Sequence, residues 1–168
     1  LFIPQAGWTV TYVDSEELTG EGANNGHAIH AIDGDSTTFW HTEWQAQDPP
    51  FPHEIQLDLG VPHAVNGLSL LSRHNSANGK IVGYELYLSM DGVAWGTPQG
   101  AGNFTYANVN APGQRATVYF GAVDARFIKL VALSTTNPNS AHAQLAELQL
   151  TEYVGPGCGA TGQNNQFV

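Results

Sequence analysis

Gly83-Tyr-Glu-Leu-Tyr-Leu-Ser-Met-Asp-Gly92 sets a large apolar residue at every second position, Tyr84, Leu86, Leu88 and Met90, and closes on an Asp-Gly pair. Strand side chains alternate between two faces, so this pattern predicts a half-buried β-strand that runs into a turn. The same period recurs at Trp8-Val10-Tyr12, Ile55-Leu57-Leu59, Ala116-Val118-Phe120, Ile128-Leu130-Ala132 and Leu148-Leu150. Between these runs, Asn25-Gly26, Asp33-Gly34, Asn66-Gly67 and Asn78-Gly79 supply turn chemistry. No ten-residue window keeps a helical period. The economical architecture is therefore all-β: two sheets packed face to face, or a flattened barrel.

Composition narrows the function. The chain has 168 residues, enough for one domain that buries about two thirds of its unfolded surface without disulfide staples. Its single cysteine, Cys158, cannot form an internal bridge. Five basic residues face fifteen acids, a net charge of −10, which repels nucleic acid and anionic membranes. Sparse charge with abundant Gly, Asn, Ser and Thr suits a secreted, turn-rich protein. With no signal peptide and no apolar run of membrane-spanning length, the chain reads as a mature or trimmed piece. Residues 154–168 have the composition of a Gly-rich linker or tail, which leaves 1–153 as the folded domain. Asn103-Phe-Thr105 is a formal glycosylation sequon.

Long connections are expected at 14–38, 41–53, 73–81, 98–114 and 134–144, and loops of that length tend to carry function. The richest stretch is Ala31-Ile-Asp-Gly-Asp-Ser-Thr-Thr-Phe-Trp-His-Thr-Glu-Trp44. Asp33, Asp35 and Thr38 flank a turn at Gly34 and offer an all-oxygen set suited to a hard cation such as Ca²⁺. An EF-hand does not fit: Thr38 stands where that loop needs Gly, and Trp44 where it needs the closing Glu. Another ligand must return from elsewhere, and Glu147 beside the last strand is the best candidate. Phe39 and Trp40 are expected in the core, with His41 and Trp44 projecting outward. Arg73 follows the run Leu68-Ser-Leu-Leu-Ser72 at a strand end, and Asn78 lies in the same loop. A guanidinium fork, an amide, an imidazole and an indole face make up the kit for one hexose. Catalysis has no comparable handle. There is no His-Glu-x-x-His, no Gly-x-Ser-x-Gly, and the glycines at 157, 159 and 162 lack a surrounding βαβ unit.

Further pieces run in a telling order: Ala31-Ile-Asp-Gly-Asp with Thr38-Phe-Trp-His-Thr42, Pro49-Pro-Phe-Pro-His53 before Ile55-Gln-Leu-Asp-Leu59, and Val65-Asn-Gly-Leu-Ser69. They continue with Gly83 to Gly92, Trp95-Gly96 and Ala125-Arg-Phe-Ile-Lys-Leu130, and close on Leu145-Ala-Glu-Leu148. Together they resemble the discoidin or coagulation-factor type C domain and, within it, the family 32 carbohydrate-binding modules, most of all the N-terminal domain of galactose oxidase. The resemblance implies an eight-stranded antiparallel jelly-roll β-sandwich with a structural calcium. It implies calcium ligands at the carbonyls of His30 and Ala146 and at Asp33, Asp35, Thr38 and Glu147. The pattern of galactose-binding members falls on His41, Trp44, Arg73 and Asn78, with Asn24 as a further polar contact. Such members often add an aromatic from a late loop, and 134–143 contains none, although His142 is present. The implied function is a non-catalytic module for glycans bearing galactose or N-acetylgalactosamine, monomeric and tethered to an enzyme or surface protein. The alternatives are an accessory domain of a galactose-oxidase-like copper enzyme and a protein-binding adhesion module.

Overall fold

The computed structural model describes residues 1–155, so Cys158 and nearly all of the Gly-rich segment from 154 onward lie outside the described residues. Among the described residues eight strands form: β1 (Thr9–Val13), β2 (Trp40–His41), β3 (His53–Leu71), β4 (Gly83–Ser89), β5 (Gly100–Asn103), β6 (Arg115–Ala132), β7 (Gln144–Leu145) and β8 (Glu147–Glu152). A short 3-10 helix spans Ala28–Ala31. All pairings between named strands are antiparallel.

The two long strands make the sandwich. The first half of β3 lies between β1 and the second half of β6, with β4 and β5 beyond. Its second half lies between the first half of β6 and β8, so β3 and β6 pass through both layers. The passage is marked by a break in register between Asp58 and His63. Gly60 turns there at φ 82°, with its N–H donated to Asp58 Oδ1 at 2.8 Å. Arg126 holds the same carboxylate with Nε and Nη2, each at 2.9 Å. Inward residues of both layers, including Ile55, Leu57, Leu68, Leu70, Leu86, Ile128, Leu130, Leu148 and Leu150, form one buried core with Trp40. That is the alternating set expected from the sequence, closing between the sheets.

Three details depart from strict alternation. A register shift between Val10 and Tyr12 inserts Thr11 as an extra residue, so Tyr12 turns outward, 49% exposed, and Val13 packs on the core instead. Met90 is exposed because β4 stops at Ser89, where Ser89 and Asp91 side chains bind the turn amides. Strand β5, Gly-Ala-Gly-Asn, pairs with β4 by backbone alone and carries no apolar signature. Lys80 is fully buried, and its Nζ donates to the carbonyls of Ala77 at 2.6 Å and Val109 at 3.0 Å. It thereby ties the loop after β3 to the loop after β5.

Candidate functional site

The short β2–β7 ladder sets His41 opposite Gln144 at one end of the sandwich. Arg73 arrives at the same end, two residues beyond the last residue of β3. The loop after β1 brings in Glu21, whose carboxylate joins the group. Glu21 Oε1 accepts from Trp44 Nε1 at 3.1 Å, and Oε2 lies 3.7 Å from Arg73 Nη2. The indole and the guanidinium therefore share one rim. Arg73 also stacks 3.9 Å over the buried Phe39 ring and donates to Gln144 Oε1 at 3.1 Å and Asn75 Oδ1 at 2.6 Å. A stacked guanidinium with carboxylate and amide partners is held in one orientation rather than sweeping through rotamers.

Trp44 is placed by a buried carboxylate. Glu17, 2% exposed, accepts the backbone N–H groups of Thr19, Gly20, Trp44 and Gln45 at 2.8–3.0 Å. Burial alone would raise its pKa, but these four donors outweigh it and lower the pKa from 4.5 to about 2. Gly20 leaves room for the ring: a Cβ there would come within 2.8 Å of Trp44 Cζ2. Glu17→Ala is expected to cost about 2–4 kcal/mol, or roughly 4–16 °C of melting temperature, because it strips several backbone donors of a charged acceptor. The depressed pKa sets the sign with pH: this stabilisation is full above about pH 4.5 and is lost as pH falls toward 2. The gap between wild type and variant, followed by thermal melts, should be widest at neutral pH and close in acid.

Not every expected residue faces outward. Trp44 is 40% exposed, whereas His41 is only 4% exposed, which corrects the expectation that both project into solvent. The cause is the ladder itself, which packs His41 against Gln144 and sets His142 beside it with ring centroids 5.5 Å apart. Burial lowers the His41 pKa more than Glu21 and the Thr42 carbonyl raise it, so the ring is neutral at pH 7. The hydrogen-bond pattern then assigns the proton to Nδ1, donated to Thr42 O, and leaves Nε2 to accept from the Gln144 amide at 3.0 Å. His142 Nε2 lies 2.8 Å from Asp48 Oδ1 in a contact whose angle does not make a hydrogen bond. Asn78 is exposed, and its side chain makes no hydrogen bond among the described residues; Asn75 is the one bonded to Arg73. Asn24 is exposed in the loop that carries Glu21, with no bond to the cluster among the described residues.

A second group forms around the Asp33–Asp35 turn. Thr38 Oγ1 donates to Asp33 Oδ2 at 2.7 Å and to the Asp35 carbonyl at 2.9 Å, and Asp35 N–H donates to Asp33 Oδ1 at 2.9 Å. His30 Nδ1 lies 2.8 Å from Asp33 Oδ2. Glu147 returns on β8 and is 3% exposed; Oε2 accepts from Gln5 Nε2, while the buried Oε1 has no partner among the described residues. Burial pushes its carboxyl up and the charge of Asp33 pushes it further, against the offsetting bond from Gln5. Ala146 is buried next to it, and its N–H is donated to Leu71 O. Among the described residues no three His, Cys, Asp or Glu side chains converge as a metal cluster on their own.

Residues 12–148 match the F5/8 type C domain model. The chain belongs to the F5/8 type C family. Across 149 residues it is 45% identical to a sialidase of Micromonospora viridifaciens, covering 88% of this chain and 22% of that protein. It is 36% identical over 146 residues to galactose oxidase of Gibberella zeae, covering 83% of this chain and 20% of the oxidase. The chain thus spans about a fifth of the length of these relatives. A family 32 carbohydrate-binding module of Clostridium perfringens, in complex with GalNAc-β-1,3-galactose, superposes with a TM-score of 0.76 at 31% identity, covering 89% of this chain and 99% of that one. Within the F5/8 type C frame, Glu17, Glu21 and Gln144 are the contributors that sequence reasoning missed. Glu21 sits in a loop with no periodicity, and Gln144 declares itself only once β7 pairs with β2.

Proposed function

We propose that this F5/8 type C domain, residues 1–153, is a non-catalytic carbohydrate-binding module for galactose-type sugars. The observation that supports the reading best is the Glu21 carboxylate, which bonds Trp44 and contacts Arg73, so that a flat apolar face, a carboxylate and a guanidinium fork share one rim. Trp44 stacks on the C–H face of the sugar. Arg73 and Asn78 bond ring hydroxyls, Glu21 accepts from another, and Asn24 closes the outer edge. His41, buried and neutral, reads the axial hydroxyl by exchanging the Gln144 amide for it at Nε2, a bond a sugar of the opposite configuration leaves unmade. The complex of the Clostridium perfringens module with GalNAc-β-1,3-galactose supports galactose or N-acetylgalactosamine as the ligand class.

A shallow site that buries one sugar gives a dissociation constant of about 0.1–10 mM for free galactose, so working avidity comes from tethering to an enzyme or to further modules. The sialidase and the oxidase, each several times longer than this chain, support a secreted parent enzyme. Isothermal titration with galactose, N-acetylgalactosamine and glucose tests the reading. Saturable heat with the first two and at least about tenfold weaker binding of glucose is expected, a difference worth about 1.4 kcal/mol. Equal affinity for all three, or no response to any, refutes it.

We further propose that Ca²⁺ is held by Asp33, Asp35, Thr38, Glu147 and the carbonyls of His30 and Ala146. The fit rests on the unpartnered buried Oε1 of Glu147 and on the nearby charge of Asp33, which together with burial pushes the Glu147 carboxyl up. An all-oxygen set with carbonyls suits Ca²⁺ rather than a transition metal. The ion would fasten the loop leading into β2 to β8 and so steady the His41–Trp44 segment.

A further inference from the structure

At the start of the loop that carries Glu17 and Glu21 lies a cleft of about 400 Å³, between the outer edge of β1 and the 3-10 helix. Its walls include Thr11, Tyr12, Glu16, His27 and Ile29. Consecutive residues divide the two sites. Glu17 turns one way to hold Trp44, and Glu16 turns the other way, its Oε2 accepting from the Ala28 N–H at 2.7 Å. The bulge in β1 that throws Tyr12 out of the core is what opens the cleft, leaving Tyr12 49% and Ile29 47% exposed. What sets these two apart from the other exposed apolar side chains is their place on either wall of one concavity, where both can contact the same ligand.

The polar atoms of the cleft are free in a way those of the rim are not. Among the described residues, the Tyr12 hydroxyl, the Thr11 hydroxyl and the His27 ring nitrogens make no hydrogen bond within the chain, and Glu16 commits only Oε2. A ligand that offers C–H surface to an aromatic ring and hydroxyls to a carboxylate, an imidazole and a phenol is a pyranose. Glu16 and the net charge of −10 disfavour uronic and sialic acids and point to an uncharged sugar. Strand addition by an extended peptide fits less well, because the Thr11 bulge breaks the flat run of backbone groups that such pairing needs and the 3-10 helix packs against this strand.

We propose that the Tyr12–Glu16–His27–Ile29 cleft is a second carbohydrate site, separate from the Trp44–Arg73 rim, that takes one uncharged pyranose unit. Tyr12 forms the platform, Glu16 Oε1 and His27 bond hydroxyls, and Ile29 closes the opposite wall. Two weak sites on one rigid domain would let a single module grip two units of a branched or folded glycan, multiplying affinity by the effective concentration of the second unit.

Nitrogen-15 NMR titration of the whole chain with galactose and with lactose tests the proposal, comparing wild type, Trp44→Ala, Tyr12→Ala and Tyr12→Phe. The expected result is saturable shifts of the Val10–Val13 and His27–Ile29 amides that persist in Trp44→Ala, vanish in Tyr12→Ala and return in Tyr12→Phe. Tyr12 is exposed, so its variants should fold, and the rim amides of Trp44 and Arg73 report that they do. Shifts confined to the rim overturn the second site and leave the primary reading standing. Shifts confined to the cleft in wild type do the reverse. Cleft shifts that survive Tyr12→Ala, or that appear with an extended Thr-Val peptide but with neither sugar, refute the sugar assignment.

Discussion

Arg73→Ala removes detectable galactose binding, an expected loss of at least about a hundredfold. Truncating a largely buried charge that faces a carboxylate and is hydrogen-bonded to neighbouring amides costs about 2–5 kcal/mol, and 2.7 kcal/mol corresponds to that factor. Three contacts make the loss large: the fork faces Glu21, one arm fixes Gln144, and the plane rests on Phe39. Removing it strips the sugar of its strongest donor and leaves Glu21 uncompensated next to the ligand. Arg73→Lys should recover little, since an ammonium cannot reproduce the planar fork or the stacking. Because Arg73 is largely buried, its variants also lower the melting temperature. Trp44→Ala is the cleaner comparison: the indole is partly exposed, so it should weaken binding by about 30-fold or more, the scale of a truncated aromatic anchor, with little change in melting temperature. Affinity electrophoresis in a galactose-containing polysaccharide, read alongside thermal melts, separates the two effects. Retention of Arg73→Ala equal to wild type would remove the rim from consideration as the sugar site.

The layers of this sandwich were legible because inward apolar side chains in β3, β4, β6 and β8 recur at every second residue, and that pattern survives any detail of connection. Ile55, Leu57, Leu86, Leu88, Ile128, Leu130, Leu148 and Leu150 all face inward as alternation requires. What alternation cannot report is a change of phase. One extra residue at Thr11 turns Tyr12 from a core position into the wall of a cleft, and a bulge leaves no mark in a run of β-branched residues. Strand β5 was invisible for the opposite reason, because a pairing made only of backbone needs no apolar side chain.

The rim was half legible. Trp44 and Arg73 stand where loop position and chemistry placed them, but the carboxylate that joins them lies more than twenty residues from either in sequence. Glu21 could not be chosen from fifteen acids by composition. Glu17 is a harder case still. It reads as one more surface acid, yet it is buried because four amides of two loops converge on it, a fact held in tertiary geometry alone. Gln144 follows the same rule. It becomes a partner of both His41 and Arg73 only because β7 closes on β2, and Gly79 at φ 67° passes so near its side chain that a Cβ would sit 2.7 Å away. Gly79→Ala should therefore disturb the site through Gln144 as well as through backbone strain.

Exhaustive chelation should lower the melting temperature by about 8–16 °C, since an ion at a thousand times its dissociation constant adds about 4.1 kcal/mol and each kcal/mol moves a domain of this size by about 2–4 °C. Glu147 is the residue that distinguishes a bound ion from ordinary acid clustering. In the absence of a cation its buried Oε1 is unpartnered and it faces the charge of Asp33, so Glu147→Gln removes a repulsion as well as a ligand. The variant is therefore expected to melt no lower than wild type in chelator, yet to gain little when Ca²⁺ is restored. A merely structural glutamate would show one fixed deficit in both conditions. Galactose affinity should fall with the metal, because the Asp33–Thr38 turn leads directly through Phe39 and Trp40 to His41 and Trp44. Identical melting curves with and without chelator for wild type would rule out calcium, and a Glu147→Gln deficit of equal size in both would assign Glu147 to packing.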